Sequence, residues 1–282
     1  LMNLLIGQKI ASVSPKVQTT RVNMKGILTR DNTQYIFVDT PGIYKPNEKK
    51  LLDRSMVAAA WQAGHDADVV LMVVDAQSGL NEKNMTILEE YQNQPKSTPL
   101  FLAFNKVDMV DKEKLLPLLQ KAHDMGIFKE IFLISAKKND GVFDMLDRFA
   151  PHLPESPYLY DEEELTDVPM RLIAAEMTRE KAFRLLNQEI PYGLAVETVQ
   201  YISQENGSIR IDQNILVERE AHRKIVLGKN GSKIKEIGRK SRMDLSKMLG
   251  CPVHLYLKVK VNDKWLTSHS FMREIGLEPE IK

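Results

Sequence analysis

A single cysteine, Cys251, has no partner for an internal disulfide and supplies too few thiolates for a metal cluster; it reads as a buried thiol. The six histidines show no metal-ligand spacing. Long apolar runs are also missing. The longest are strand-sized, well short of the roughly 20 residues a membrane-crossing helix needs, and no signal peptide opens the chain. These absences exclude a disulfide scaffold, a metal-cluster protein and a helical membrane protein, and they fit a cytosolic chain. Net charge is scarce too, at +1 overall, but that sum hides an imbalance. Residues 221–264 carry twelve Lys and Arg against Glu236, Asp244 and Asp263, a net +9 that should attract a polyanion. What the chain does have is length and apolar content: 282 residues with 43% hydrophobic suit two domains with real cores. The 13 methionines, mostly among apolar neighbours, fill those cores.

Residues 1–150 alternate strand-like runs (22–28, 35–38, 69–74, 100–104 and 131–134) with helical patterns, the rhythm of an α/β doubly wound sheet. Pro151, Pro154, Pro157 and Pro169 then bracket the acidic run Asp161-Glu162-Glu163-Glu164. Proline lacks a donor N–H and discourages regular structure, so residues 151–169 read as a linker with a solvated acidic run. The remainder, 170–282, reads as a helix (171–188), strands at 194–203 and 208–218, a helix from Ala221, the turn Gly228-Lys229-Asn230-Gly231, a helix to Met248 and a strand at 253–261. That order is the order of an α+β type II KH domain, an RNA-binding module.

Two short motifs fall at the carboxyl ends of strands, where doubly wound sheets bind ligands. Asp39-Thr40-Pro41-Gly42 follows Tyr35–Val38, and Asn105-Lys106-Val107-Asp108 follows the run ending at Phe104. In the first, the Asp39 carboxylate can hold a magnesium ion through water and the bare Gly42 N–H can approach a terminal phosphate. In the second, the Asp108 carboxylate accepts from the N–H and amino group that guanine presents and adenine does not. Asn105 then holds the loops and the Lys106 stem lies over the ring. Ser135-Ala136-Lys137, after the strand 131–134, would close the base pocket through its backbone. Either tetrapeptide alone is also an ordinary turn; order, spacing and repeated strand context make them two halves of one guanine-nucleotide site.

The glycine-rich Gly-Lys-Ser/Thr cradle for the α- and β-phosphates does not occur in the sequence. Leu1–Gly7 looks like the body of the helix that follows such a cradle, so the first strand and phosphate loop are expected upstream of Leu1, and these residues without it should be inactive as a GTPase. In the KH-like half, Gly228 and Gly231 let the backbone lie against a nucleic-acid backbone while Lys229, Lys233 and Lys235 add charge.

A GTPase domain joined by a proline-rich acidic linker to a carboxy-terminal KH domain resembles the bacterial Era-like GTPases, over the whole chain. Gln18-Thr19-Thr20-Arg21, after Ser14-Pro15-Lys16, is similar to that family's first switch, and Asn262-Asp263-Lys264-Trp265 to the end of its KH domain. The resemblance implies binding of GTP and GDP with Mg2+, held by Thr20 or Thr19 together with Asp39, and GTP hydrolysis with Thr20, Asp39 and Gly42 at the reacting end. It implies potassium assistance through the phosphate loop. It also implies binding to the 3′ end of small-subunit ribosomal RNA during maturation of the 30S subunit, no role on DNA, and peripheral association with the cytoplasmic membrane face. Asn230 departs from the glycine common inside the family's turn, and Ile43, next to Gly42 in the pocket, cannot hydrogen-bond to an attacking water. Two alternatives stay open: an RNA-binding module whose first domain is a nucleotide-free scaffold, and a GTPase whose KH-like domain makes protein contacts. A tandem GTPase is disfavoured because 151–282 holds no second motif pair.

Overall fold

The computed structural model describes residues 1–14, 20–47, 50–94, 98–186 and 193–277. Among the described residues the first half runs α1 (Met2–Ile6), β1 (Met24–Arg30), β2 (Thr33–Asp39), α2 (Leu51–Asp66), β3 (Val70–Asp75), α3 (Glu82–Gln92), β4 (Leu100–Asn105), α4 (Lys112–Asp124), β5 (Ile131–Ile134) and α5 (Val142–Asp147). Strands β3, β4 and β5 form a parallel sheet in that order. Central β4 is apolar along its length because both its faces are covered. Phe101 and Ala103 join Ile134, Met145 and Phe149 on one side; Leu102 and Phe104 join Val74, Leu88 and Leu115 on the other. The sheet is thus doubly wound, as expected.

β1 and β2 pair antiparallel through the two-residue turn Asp31-Asn32, with φ of 51° and 59°. That left-handed pair is the turn whose twist suits a tight hairpin. The sequence reading had strands here but no hairpin, and β1 starts two residues later than the expected 22.

The second half runs α6 (Met170–Leu185), β6 (Leu194–Ser203), β7 (Ile209–Val217), α7 (Glu220–Leu227), α8 (Ser232–Leu249), β8 (Val253–Val261) and α9 (His269–Glu274). β7 lies centrally, antiparallel to β6 and parallel to β8. β6 and β8 have the expected limits. The helix expected over 171–188 ends at Leu185, and 187–188 lie outside the described residues. Val196, Ile215, Val217, Val226 and Ile237 close the core between sheet and helices.

Helix α6 is buried on every side: each residue from Ile173 to Phe183, Glu176, Arg179, Glu180 and Lys181 included, is out of solvent. The reason is that the two halves share one core. Ile10, Val22, Leu52 and Met56 pack in the same cluster as Ile173, Met177, Trp265 and Met272. Charges brought into this junction are paired, since an unpaired buried charge is costly. Glu180 accepts the Val13 N–H at 2.9 Å and pairs with Lys9 (2.9 Å) and Lys181 (3.1 Å). Asp244 on α8 pairs with Lys9 (3.0 Å) and Lys181. Arg21 Nη1 donates to the Leu194 carbonyl at 2.6 Å, and its guanidinium lies 5.4 Å from the Trp265 ring centre.

The segment 151–169 has no regular element beyond a 3₁₀ turn at Ala150–His152, and Asp161, Glu162 and Glu163 face solvent. Its flanks are docked. The Ile27 N–H donates to the Leu165 carbonyl (2.9 Å), Thr166 Oγ1 donates to the Lys25 carbonyl (2.6 Å) and Lys25 pairs with Asp167 (2.8 Å). Gln34 accepts the N–H groups of Leu159 and Tyr160 (2.9 and 3.0 Å) and donates to the Tyr160 carbonyl (2.9 Å). β1 has an open edge whose backbone groups need partners, so the segment is a strap along that edge instead of a free spacer.

Candidate nucleotide and RNA sites

Strand β4 ends at Asn105, whose side-chain oxygen accepts the Lys106 N–H at 2.8 Å and the Ala136 N–H at 3.0 Å. One carboxamide thereby ties the end of β4 to the loop after β5. Ser135, buried beneath that loop, donates from Oγ to Asp108 Oδ1 at 2.7 Å; its backbone exchanges hydrogen bonds with Asp140 (3.0 and 3.1 Å). Asp108 itself sits in the exposed 3₁₀ turn Val107–Met109. The result is a carboxylate fixed at one oxygen and presented at a rim. Such a group suits two adjacent donors on a planar base. Lys137, two residues beyond Ser135, is exposed.

Lys106 holds a left-handed backbone (φ 66°, ψ 34°), and its ammonium pairs with Asp75 Oδ2 at 2.6 Å. Asp75 is a residue the sequence reading missed. It ends β3, directly opposite Asn105 in the sheet register, and its Oδ1 accepts the Gln77 N–H at 2.9 Å. Burial works to raise its carboxyl, but the Lys106 ammonium and the Gln77 N–H hold it below the usual carboxylate range. The signal was present: like both motifs, it is a carboxylate at the carboxyl end of a strand.

On the phosphate side, Thr20 Oγ1 donates to Asp39 Oδ2 at 3.2 Å. Burial pushes the Asp39 carboxyl up, opposed by the Thr20 hydroxyl. Two hard oxygens converge here, which fits a cation completed by water and phosphate oxygens. Among the described residues no cluster of three or more His, Cys, Asp or Glu could hold a metal alone. Thr40 and buried Pro41 lead to Gly42, which is exposed with φ 85° and open space where a side chain would stand. Its N–H is therefore approachable. Ile43 follows, half-buried. Thr19 and Gln18 lie outside the described residues. Asn105, Lys106, Asp108, Ser135 and Ala136 are joined by hydrogen bonds, as are Thr20 and Asp39. Among the described residues the two groups share no hydrogen bond.

In the second half, α7 stops at Gly228 (φ 69°, ψ 174°). A Cβ there would stand 2.7 Å from Lys233 Cγ and 3.0 Å from the Lys233 backbone nitrogen, so glycine is required. Asn230 takes a left-handed conformation (φ 52°, ψ 31°) that asparagine tolerates. Lys229, Asn230 and Lys235 are exposed around the turn. Lys233 is not with them: half-buried, it packs on Gly228 and its ammonium reaches the Leu185 carbonyl at 3.5 Å.

Residues 1–106 match the family model described as 50S ribosome-binding GTPase, and residues 189–266 match the KH domain model. Over 278 residues, 99% of this chain, the sequence is 47% identical to the GTPase Era of Afipia carboxidovorans, covering 89% of that protein. It is 45% identical to the GTPase Era of Agrobacterium fabrum, covering 99% of this chain and 86% of that one. Among solved structures, Era in complex with MgGDPNP and nucleotides 1506–1542 of 16S ribosomal RNA has a TM-score of 0.92 at 36% identity, over 98% of this chain and 93% of that one. A variant of Aquifex aeolicus Era bound to GDP.AlF4− gives the same values.

Proposed function

The chain belongs to the Era family of GTPases, and from that premise we propose a GTP-hydrolysing factor that binds the 3′ end of 16S ribosomal RNA and assists maturation of the 30S subunit. The observation that carries this reading is the cross-linked pocket in which Ser135 fixes Asp108 and Asn105 bridges two strand ends. Its chemistry selects guanine, and it is coupled in one chain to the exposed turn Gly228–Gly231, whose chemistry suits a single-stranded RNA backbone.

We divide the chain into a GTPase domain (1–150), the strap (151–169) and a KH domain (170–282). Asp108 reads the base edge, Asn105 and Ala136 hold the pocket closed and Lys106 covers the ring. Thr20 and Asp39 would hold Mg2+, which supplies charge neutralisation at the phosphates when bound. The Gly42 N–H donates to the terminal phosphate. Ile43 offers no hydrogen bond to the attacking water, so this chain's contribution to hydrolysis is positioning and charge, and slow intrinsic turnover follows. Potassium could add a further cation near the phosphates. At the other end, Lys229, Asn230 and Lys235 face the RNA phosphates. Among the described residues no helix is long and apolar enough to cross a bilayer.

The test is base selection. Asp108→Asn should weaken GTP binding by roughly 10- to 100-fold, the loss of a charge-assisted hydrogen bond of about 1.5–3 kcal/mol, and should favour xanthosine nucleotides. Unchanged GTP affinity removes Asp108 from the site.

A further inference from the structure

The ion pair between Lys106 and Asp75 joins the ends of the neighbouring strands β4 and β3. Lys106 is fixed at both ends. Its backbone is held in the left-handed region with its N–H on Asn105, and its ammonium is held on the end of the neighbouring strand, 2.6 Å from Asp75. A left-handed backbone is unfavourable for lysine and easier for glycine or asparagine, which points to a use for the side chain that starts there. The four-carbon stem between those anchors is an apolar bar across the ends of β3 and β4. Both partners are partly exposed (side-chain exposure 52% for Lys106, 32% for Asp75), so the pair adds little to the stability of the fold. What it does is remove rotamers from a side chain that otherwise has many.

We propose that Asp75 is a positioning residue of the nucleotide site: it stretches Lys106 over the place of the guanine ring, so that the stem is set before the nucleotide arrives. This rests on the assignment of Asn105, Lys106 and Asp108 to the guanine pocket. Asp75 touches no nucleotide atom in this scheme and acts only through Lys106. Asparagine at this position keeps an acceptor for the Gln77 N–H while removing the charge that holds the ammonium.

The experiment is a double-mutant cycle on the release rate of fluorescent GDP from the full-length protein. Asp75→Asn should speed release about 3- to 10-fold, Lys106→Met by at least as much, and the double variant no more than Lys106→Met alone, with melting temperatures unchanged. A wild-type release rate for Asp75→Asn overturns the proposal. So does an equal acceleration by Asp75→Asn in the Lys106→Met background, which would assign Asp75 only to its own turn. Asp108→Asn, measured alongside, separates the two levels. If it fails to shift preference toward xanthosine, the pocket assignment falls; if it shifts while Asp75→Asn is silent, only the positioning role falls.

Discussion

Replacing Lys229 and Asn230 by aspartates sets two negative charges on the exposed turn that the RNA backbone should approach. At about 5 Å a unit-charge pair interacts by roughly 0.8 kcal/mol in water and about twice that at an effective dielectric near 40. The change removes one attraction and adds two repulsions, so three such terms give about 2.5–5 kcal/mol. Screening over a Debye length of about 8 Å at physiological salt roughly halves this to about 1.3–2.7 kcal/mol, a 10- to 100-fold loss. The fold should not respond. Both side chains are exposed, and aspartate tolerates the left-handed backbone of Asn230 (φ 52°) nearly as well as asparagine. The assay is filter binding to an RNA matching nucleotides 1506–1542 of 16S ribosomal RNA across a salt series, beside a thermal melt. Each phosphate neutralised contributes a slope of about −0.7 in log K against log salt on a single strand, so the variant's slope should be shallower by at least that amount. Affinity within threefold of wild type and an unchanged slope would refute the placement of RNA at this turn.

Gly228→Ala puts a methyl group 2.7 Å from Lys233 Cγ in a left-handed conformation, and should cost about 1–3 kcal/mol in a denaturant melt; an unchanged midpoint would mean that the turn relaxes freely. Glu180→Gln leaves Lys9, Lys181 and the Val13 N–H around a neutral acceptor and should cost about 3 kcal/mol. Burial works to raise the carboxyls of Glu180 and Asp244, but in Glu180 the Val13 N–H with Lys9, and in Asp244 Lys181 with Lys9, hold them below their ordinary values. Folded values below unfolded ones mean stabilisation that is complete above the unfolded carboxylate range near pH ~4.5 and is lost as pH falls through the lower folded values. Urea midpoints measured from pH 6 to pH 3 should therefore fall less steeply in Glu180→Gln than in wild type, and equal steepness would contradict the pairing. Gln34→Ala removes the bonds to Leu159 and Tyr160, so those two amides should lose hydrogen-exchange protection while the global melt barely moves; retained protection would show that the strap is held elsewhere.

Much of the architecture could be read before any coordinates because it rests on local rules. β8 alternates in polarity after the turn-forming Gly250 and Pro252, and the glycines at 228 and 231 mark a turn between two helical patterns. The guanine motifs could be read because each caps an apolar strand. Other features depend on distant parts of the chain. Nothing in the local sequence marks Glu176, Arg179, Glu180 and Lys181 as buried; their burial depends on residues such as Lys9 and Val13, more than 160 positions away. Prolines predict that 151–169 lacks regular structure, but say nothing of the β1 edge that binds its flanks. Asp75 is one of 38 acidic residues; its place at the end of an apolar run is visible in the sequence, but the sheet register that sets it opposite Asn105 is what ties it to the site.

The shared core has a consequence for how the protein is made. Val22, Leu52 and Met56 find their cover in Trp265, Phe271 and Met272, which leave the ribosome some 200 residues later. At elongation rates of roughly 5–20 residues per second that is a wait of about 10–40 s, during which the first half has been synthesised yet has a bare apolar flank. A nascent chain in that interval is a natural client for holdase chaperones, and its vulnerability ends only when the last helix docks.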